Sequence, residues 1–344
     1  GRATTAGAAI WRDRVARETA TVAARLRAAG AVLIGKTRMV QFALGSWGTN
    51  AAEGAPRNPW DPKVARVCGG SSSASAAAVA AGMAAAAIGT DTGGSVRIPA
   101  AACGLVGLKP GFGRVSCAGV QALCPSFDTV GPLARSAWDA AAVYDAIRGP
   151  DARDPNALVD PSADPFGALD AGLRGMRFLA PPIEAFGALE PAVAEAFETA
   201  LENLRAGGAS IRRAPPPRPF GAYQKAADVM MAAEAFALHA GWIDRQDAPF
   251  DEPVRARIQA GRDVPAWRFL RAREERREAQ REIRAVLRDY EALLTPTLPI
   301  AAAPFADVDE SIHPMSRFTR IGNYLDLCGV AAPMGFDSDG MPLS

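Results

Sequence analysis

The chain has 344 residues, nearly half of them hydrophobic, and its 38 Lys and Arg against 37 Asp and Glu leave a formal net charge of +1. That length suits one large domain or two ordinary ones, and the charge balance gives no reason to expect direct binding to nucleic acid or to an anionic membrane. No apolar run reaches the roughly 18 uninterrupted residues that a membrane span needs, and no secretory signal is legible. The five cysteines (Cys68, Cys103, Cys117, Cys124 and Cys328) form no C-x-x-C pair. Their spacing argues against a structural zinc site and a disulfide framework, so a reducing cytoplasm is the default expectation. The chain opens at Gly1 and stops at "GFDSDGMPLS", just after a turn-like Asp-Ser-Asp-Gly-Met-Pro run. It reads as a piece of a longer protein, incomplete at both termini.

In chain order, Glu18 to Gly30 predicts an amphipathic helix with Gly30 as its C-cap. "AVLIGKT" predicts a buried strand, because a short apolar run after a helix suits a parallel sheet. "SSSASAAAVAAGMAAAA" predicts an Ala-rich helix opened by serines, "AIGTDT" a second buried strand, and "IPAAACGLVGL" a short helix against the sheet. Gly149 to Gly167, rich in Asp and Pro, reads as a surface connection within one domain, since "LRGMRFLA" restarts a strand and Pro191 to Ala206 a helix. Trp267 to Tyr290 predicts a long helix whose Arg and Glu form a solvated face with i,i+4 pairs. "ALLTPTLPIA" predicts a buried strand ending in prolines. Alternating helices and strands argue for a layered α/β fold.

One motif match misleads. "GAVLIGKT" fits G-x-x-x-x-G-K-T, but a phosphate cradle is a loop between strand and helix, and here the four middle residues read as the strand itself. No G-x-S-x-G elbow, S-x-x-K pair or H-E-x-x-H motif occurs. Of the two histidines, His239 lies in an apolar helical stretch and His313 beside Pro314 in a loop, neither in a motif with a serine.

Two glycine–serine clusters remain, "CGGSSSASAAAVAAG" and "GTDTGGSVRIPAA". Ser71 and Ser95 each follow two glycines and stand 24 positions apart. A helix and a returning strand in that interval can bring both serines to one end of a layer. Spacing alone leaves catalysis and a plain turn role equally open.

From Gly69 to Gly113 the chain resembles the amidase signature family, which carries G-G-S-S-x-x-S-A, D-x-G-G-S-x-R and G-L-K-P segments; here they stand as "GGSSSASA", "DTGGSVR" and "GLKP". The likeness continues in "AAGAVLIGKTRMVQFALG", "PRNPWDP", "SFDTVGPLARS", "LLTPTLP" and "GVAAPMGFDSDGMP", over most of the chain. The resemblance implies one amidase domain over 1–344, with a mixed central β-sheet covered by helices on both faces. It implies a Ser–cis-Ser–Lys mechanism with Ser95 as nucleophile and Ser71, preceded by a cis peptide bond, as proton relay. Backbone N–H groups of Thr92, Gly93, Gly94 and Ser95 would form the oxyanion hole, and Asp91 and Arg97 would brace the loop as a charge pair. The family's lysine base lies in a G-x-P-x-x-x-K-D segment ahead of the part that "GRATTAG" resembles. Lys36 aligns with a different lysine, so no base is assigned, and the chain as given is expected to hydrolyse amides poorly.

The implied reaction is hydrolysis of a small carboxamide to a carboxylate and ammonia or an amine, with neither metal nor cofactor and with no membrane or direct nucleic-acid partner. A homodimer is left open. Three alternatives stand beside it: the A subunit of a tRNA-dependent amidotransferase, an allophanate hydrolase, and a non-catalytic family member serving as a binding module.

Overall fold

A computed structural model describes residues 3–157, 164–245 and 247–344. The first helix, α1 (Thr21–Ala28), stops where Gly30 takes φ +86°, a conformation that side chains with a Cβ disfavour. Then α2 (Ser73–Ala80) leads to β1 (Ala86–Asp91), α3 (Arg97–Ala102), β2 (Val106–Lys109), β3 (Thr129–Ala134) and α4 (Ala137–Ile147). The second half runs β4 (Arg177–Ala180), α5 (Pro191–Ala206), β5 (Ser210–Arg213), α6 (Phe220–His239), α7 (Glu252–Gln259) and α8 (Ala266–Leu287). It closes with β6 (Ala292–Leu293), α9 (Arg320–Tyr324), β7 (Gly329–Ala331), β8 (Gly335–Phe336) and β9 (Pro342–Leu343).

Parallel and antiparallel ladders both occur. The sheet behind the two serine turns has the order β1-β3-β2-β7 and is antiparallel throughout, with Asp91 opposite Thr129 and Lys109 opposite Gly329. A parallel sheet has the order β5-β4-β6, and β8 pairs with β9 in a two-stranded ribbon. Pro191 opens α5 and its buried stripe is Val193, Phe197 and Leu201, four residues apart, which fits a helix with one face on the core. Along α8 the buried positions are Ala272, Ala279 and Ile283, while Arg277 pairs with Glu274 and Arg271 with Glu275 in solvent.

One strand expectation fails. Residues 31–37 form no strand and pair with none among the described residues, and Val32 and Ile34 are 85% and 69% exposed. A short apolar run is buried only where a neighbouring strand takes its backbone groups and a layer covers its side chains. Neither lies over this segment among the described residues. The segment is still no P-loop, because after Thr37 comes only a three-residue 3₁₀ turn, Gln41–Ala43, which offers no helix N-terminus to a phosphate. The strand expected over "ALLTPTLPIA" shrinks to the two residues of β6, because Pro296 and Pro299 carry no N–H for a ladder.

Part of the Gly149–Gly167 connection, residues 158–163, lies outside the described residues; the rest is turn and loop. The largest hydrophobic cluster draws on both sides of it, packing Val40, Phe42 and Phe127 with Phe186, Phe220, Phe318 and Tyr324.

Candidate active site

Ser71 and Ser95 sit on two turns that touch. The Ser72 N–H donates to the Ser95 carbonyl at 3.2 Å, and the Val40 N–H donates to the Ser71 carbonyl at 3.1 Å. The Gly70–Ser71 peptide bond is cis. A Cβ on Gly70 would lie 2.7 Å from the Gly45 carbonyl oxygen and 2.8 Å from Gly48 N, so only glycine fits this approach of three backbones. Ser71 is fully buried, and its Oγ has no hydrogen-bond partner among the described residues. Ser95 is 8% exposed and borders a cavity of about 50 Å³ with Ser46, Thr92, Gly93, Ile98, Met231, Arg257, His313 and Arg320. A larger groove of about 610 Å³, between α6 and α8, does not include either serine.

The Ser95 loop is pinned from beneath by Asp91, at the end of β1. Its carboxylate accepts Arg97 Nε and Nη2 at 2.9 Å each, Asn323 Nδ2 at 2.9 Å and the Gly94 N–H at 2.8 Å. Burial alone would raise the Asp91 pKa, but the Arg97 charge and its hydrogen bonds override this and hold it at about 2. Lys109, fully buried in β2, donates to the Pro110 carbonyl at 2.7 Å. Burial and the Arg97 charge lower its pKa to about 8. From above, the Thr92 hydroxyl donates to Asp128 at 2.5 Å, and the Thr319 hydroxyl donates to the Gly93 carbonyl at 2.8 Å. Asp128 also accepts the N–H groups of Leu123 and Cys124, and burial raises its pKa.

These bonds revise the expected oxyanion hole. Because the Gly94 N–H is spent on Asp91, it is not free for a substrate oxygen. Among the described residues no such partner takes the N–H of Thr92, Gly93 or Ser95. Gly94 is needed for another reason: its φ is +131°, and a Cβ there would meet Thr319 Oγ1 at 2.2 Å.

Thr319, Arg320 and Asn323 escape sequence reasoning, because no local signal marks them. They stand more than 220 positions from the Ser95 loop and reach it only through the fold, Thr319 at the Gly93 carbonyl, Asn323 at Asp91 and Arg320 packed against Gly93. His313 is a further correction. It does stand in a loop, but that loop brings it into the cavity beside Ser95. Burial, then the charges of Arg257 and Arg320, lower its pKa to about 4, so at neutral pH it is uncharged. Lys36 lies elsewhere, exposed, with its ammonium donating to the Thr4 hydroxyl.

The family model for Amidase matches residues 1–344. The chain is 39% identical to the A subunit of the glutamyl-tRNA(Gln) amidotransferase of Symbiobacterium thermophilum, covering all of this chain and 75% of that protein. A solved protein complex, described as revealing the evolutionary origins of an s-triazine catabolic enzyme, superposes with a TM-score of 0.90 at 34% identity, over all of this chain and 76% of that one. Allophanate hydrolase of Kluyveromyces lactis superposes with a TM-score of 0.86 at 28% identity, over 99% of this chain and 55% of that one. With a whole-length family match and these relatives on a shared fold, the chain belongs to the amidase family.

Proposed function

We propose that Ser95 is the nucleophile of an amide hydrolase acting on a small carboxamide. The observation that carries this is the meeting of the Ser71 and Ser95 turns beside a cavity of about 50 Å³. The Ser95 Oγ attacks the amide carbonyl, and the N–H groups of Thr92, Gly93 and Ser95 receive the developing oxyanion. The serine proton passes to the buried Ser71 hydroxyl and from there, by way of a base, to the departing amine. Water then cleaves the acyl–Ser95 ester, releasing the carboxylate and restoring the serine proton. A serine hydroxyl is too weak a base to hold that proton, so Ser71 is a relay only. We assign no base among the described residues, and no metal or cofactor enters the scheme.

The amidotransferase relative supports a second reading, in which the same Ser95 chemistry releases ammonia for a partner chain. Ammonia release from free glutamine that appears only when a partner chain is added would favour that reading. The first test is covalent. A fluorophosphonate probe should add to Ser95, with mass spectrometry placing the adduct on the peptide spanning Asp91 to Arg97. Undiminished labelling of a Ser95→Ala variant would remove Ser95 from the scheme.

A further inference from the structure

We propose that Arg320 is a specificity-determining residue, which reads a second, uncharged oxygen acceptor on the acyl part of the substrate through its Nε–H. The inference rests on the reading of Ser95 as the reacting serine. The guanidinium is tied at both ends, Nη1 to Asp228 and Nη2 to the Ser316 hydroxyl at 3.2 Å. Its third nitrogen, Nε, is buried and has no hydrogen-bond partner among the described residues. Arg320 lines the cavity that Ser95 borders, and its Nε packs against the Ser95 loop, where a Cβ on Gly93 would come within 3.3 Å of it. A buried N–H left without an acceptor is costly, and a ligand oxygen that satisfies it gains the bond and removes the penalty together.

The charge balance favours a neutral acceptor. Arg320 is paired with Asp228 and Arg257 with Glu310. His313, the remaining basic group of the cavity, is uncharged at neutral pH. No net positive charge is therefore left to offset a desolvated carboxylate, whose burial without a counter-charge is expensive. A second amide, ketone or ester carbonyl meets the Nε–H without that cost. A site built to hydrogen-bond a group also rejects the analogue that lacks it more strongly than an apolar pocket could.

The test is calorimetric binding to the Ser95→Ala protein, which prevents turnover and needs no base. Three ligands of similar size separate the terms: malonamide with a second neutral carbonyl, isovaleramide with an apolar isostere, and malonamate with a carboxylate. Malonamide should bind at least tenfold more tightly than isovaleramide, and more tightly than malonamate. Arg320→Met removes the donor. Arg320→Lys also lacks it but keeps a cation for Asp228, so it carries the result if the methionine variant does not fold. In either variant the malonamide preference should fall to within twofold, with isovaleramide binding unchanged. The proposal is overturned if malonamide shows no saturable binding or a preference under threefold, if the preference survives both variants, or if malonamate binds as tightly. Should neither variant fold, the preference of the Arg320 protein decides. Loss of Ser95 labelling with the preference intact would instead sink the catalytic reading and leave Arg320 as a ligand-reading residue.

Discussion

Asp91 shows how one carboxylate can hold a loop that carries chemistry. It is fully buried, yet it accepts two guanidinium bonds from Arg97, one amide bond from Asn323 and the Gly94 N–H. Asp91→Asn would leave Arg97 and Lys109 buried with their common counter-charge gone. Breaking a buried pair from one side costs about 3–5 kcal/mol, so urea unfolding should show a loss of that order, and probe labelling of Ser95 should fall with it. The sign of the pH effect follows from the depressed value. Asp91 titrates near 2 when folded against an ordinary 3.8. Its contribution is therefore complete above about pH 4 and is lost as the pH falls towards 2. The Asn variant should lack that part of the acid dependence. At Gly94 the argument is steric: with φ +131° and Thr319 Oγ1 in the way, Gly94→Ala cannot keep this turn. It should abolish Ser95 labelling even in protein that stays folded by circular dichroism, and normal labelling would show that the loop tolerates another path.

Among the elements, α6 and the 31–37 segment give contrasting tests. At the end of α6, His239 packs against Phe42 at 4.6 Å and Trp242 at 4.7 Å between ring centroids, and neither ring nitrogen has a partner among the described residues. Burial lowers its pKa from 6.5 to about 4. The unfolded chain then binds a proton that the folded one refuses, so stability is complete above pH 6.5 and declines as the pH falls towards 4. His239→Phe removes two unsatisfied buried nitrogens, each costing about 1–3 kcal/mol. It should raise the thermal midpoint at pH 7 and raise it further at pH 5; a lower midpoint at both values would mean that the ring nitrogens are satisfied. Ile34→Thr, by contrast, should change stability by less than about 0.5 kcal/mol, because the side chain is mostly exposed. The two segments also mark what the sequence makes legible. The bounds of α5, Pro191–Ala206, can be read from a proline at its start, Gly207 just beyond its end and a four-residue apolar period. β1 can be read from an apolar run closed by glycines. Residues 31–37 carry the same apolar signal, but burial depends on a partner strand, which a one-dimensional pattern does not contain. The site divides in the same way. Ser71, Ser95, Asp91 and Arg97 sit in two short motifs, whereas Thr319, Arg320, Asn323 and His313 reach the loop only through long-range folding.

At the scale of the whole molecule, the two sides of the Gly149–Gly167 connection are joined by three independent sets of contacts. The first is the ladder between β2 and β7, with Gly107 opposite Ala331. The second is the polar clasp of Asp91 and Arg97 on Asn323, at 2.8–2.9 Å. The third is the large hydrophobic cluster that packs Val40, Phe42 and Phe127 with Phe318 and Tyr324. Cutting the chain between the halves removes none of these and releases only the entropy of one connection. Gly172 suits such a cut, since it is exposed, takes φ +73° and has no heavy atom near its absent Cβ. We therefore expect that a specific protease site inserted after Gly172 can be cleaved without separating the pieces. The two fragments should co-elute on gel filtration at the position of the uncut chain and keep Ser95 labelling. Denaturant should release both in one transition, because the Ser95 loop draws its support from both halves. Two fragments that elute apart, each with its own cooperative unfolding, would show two separate cores and overturn the single-domain reading.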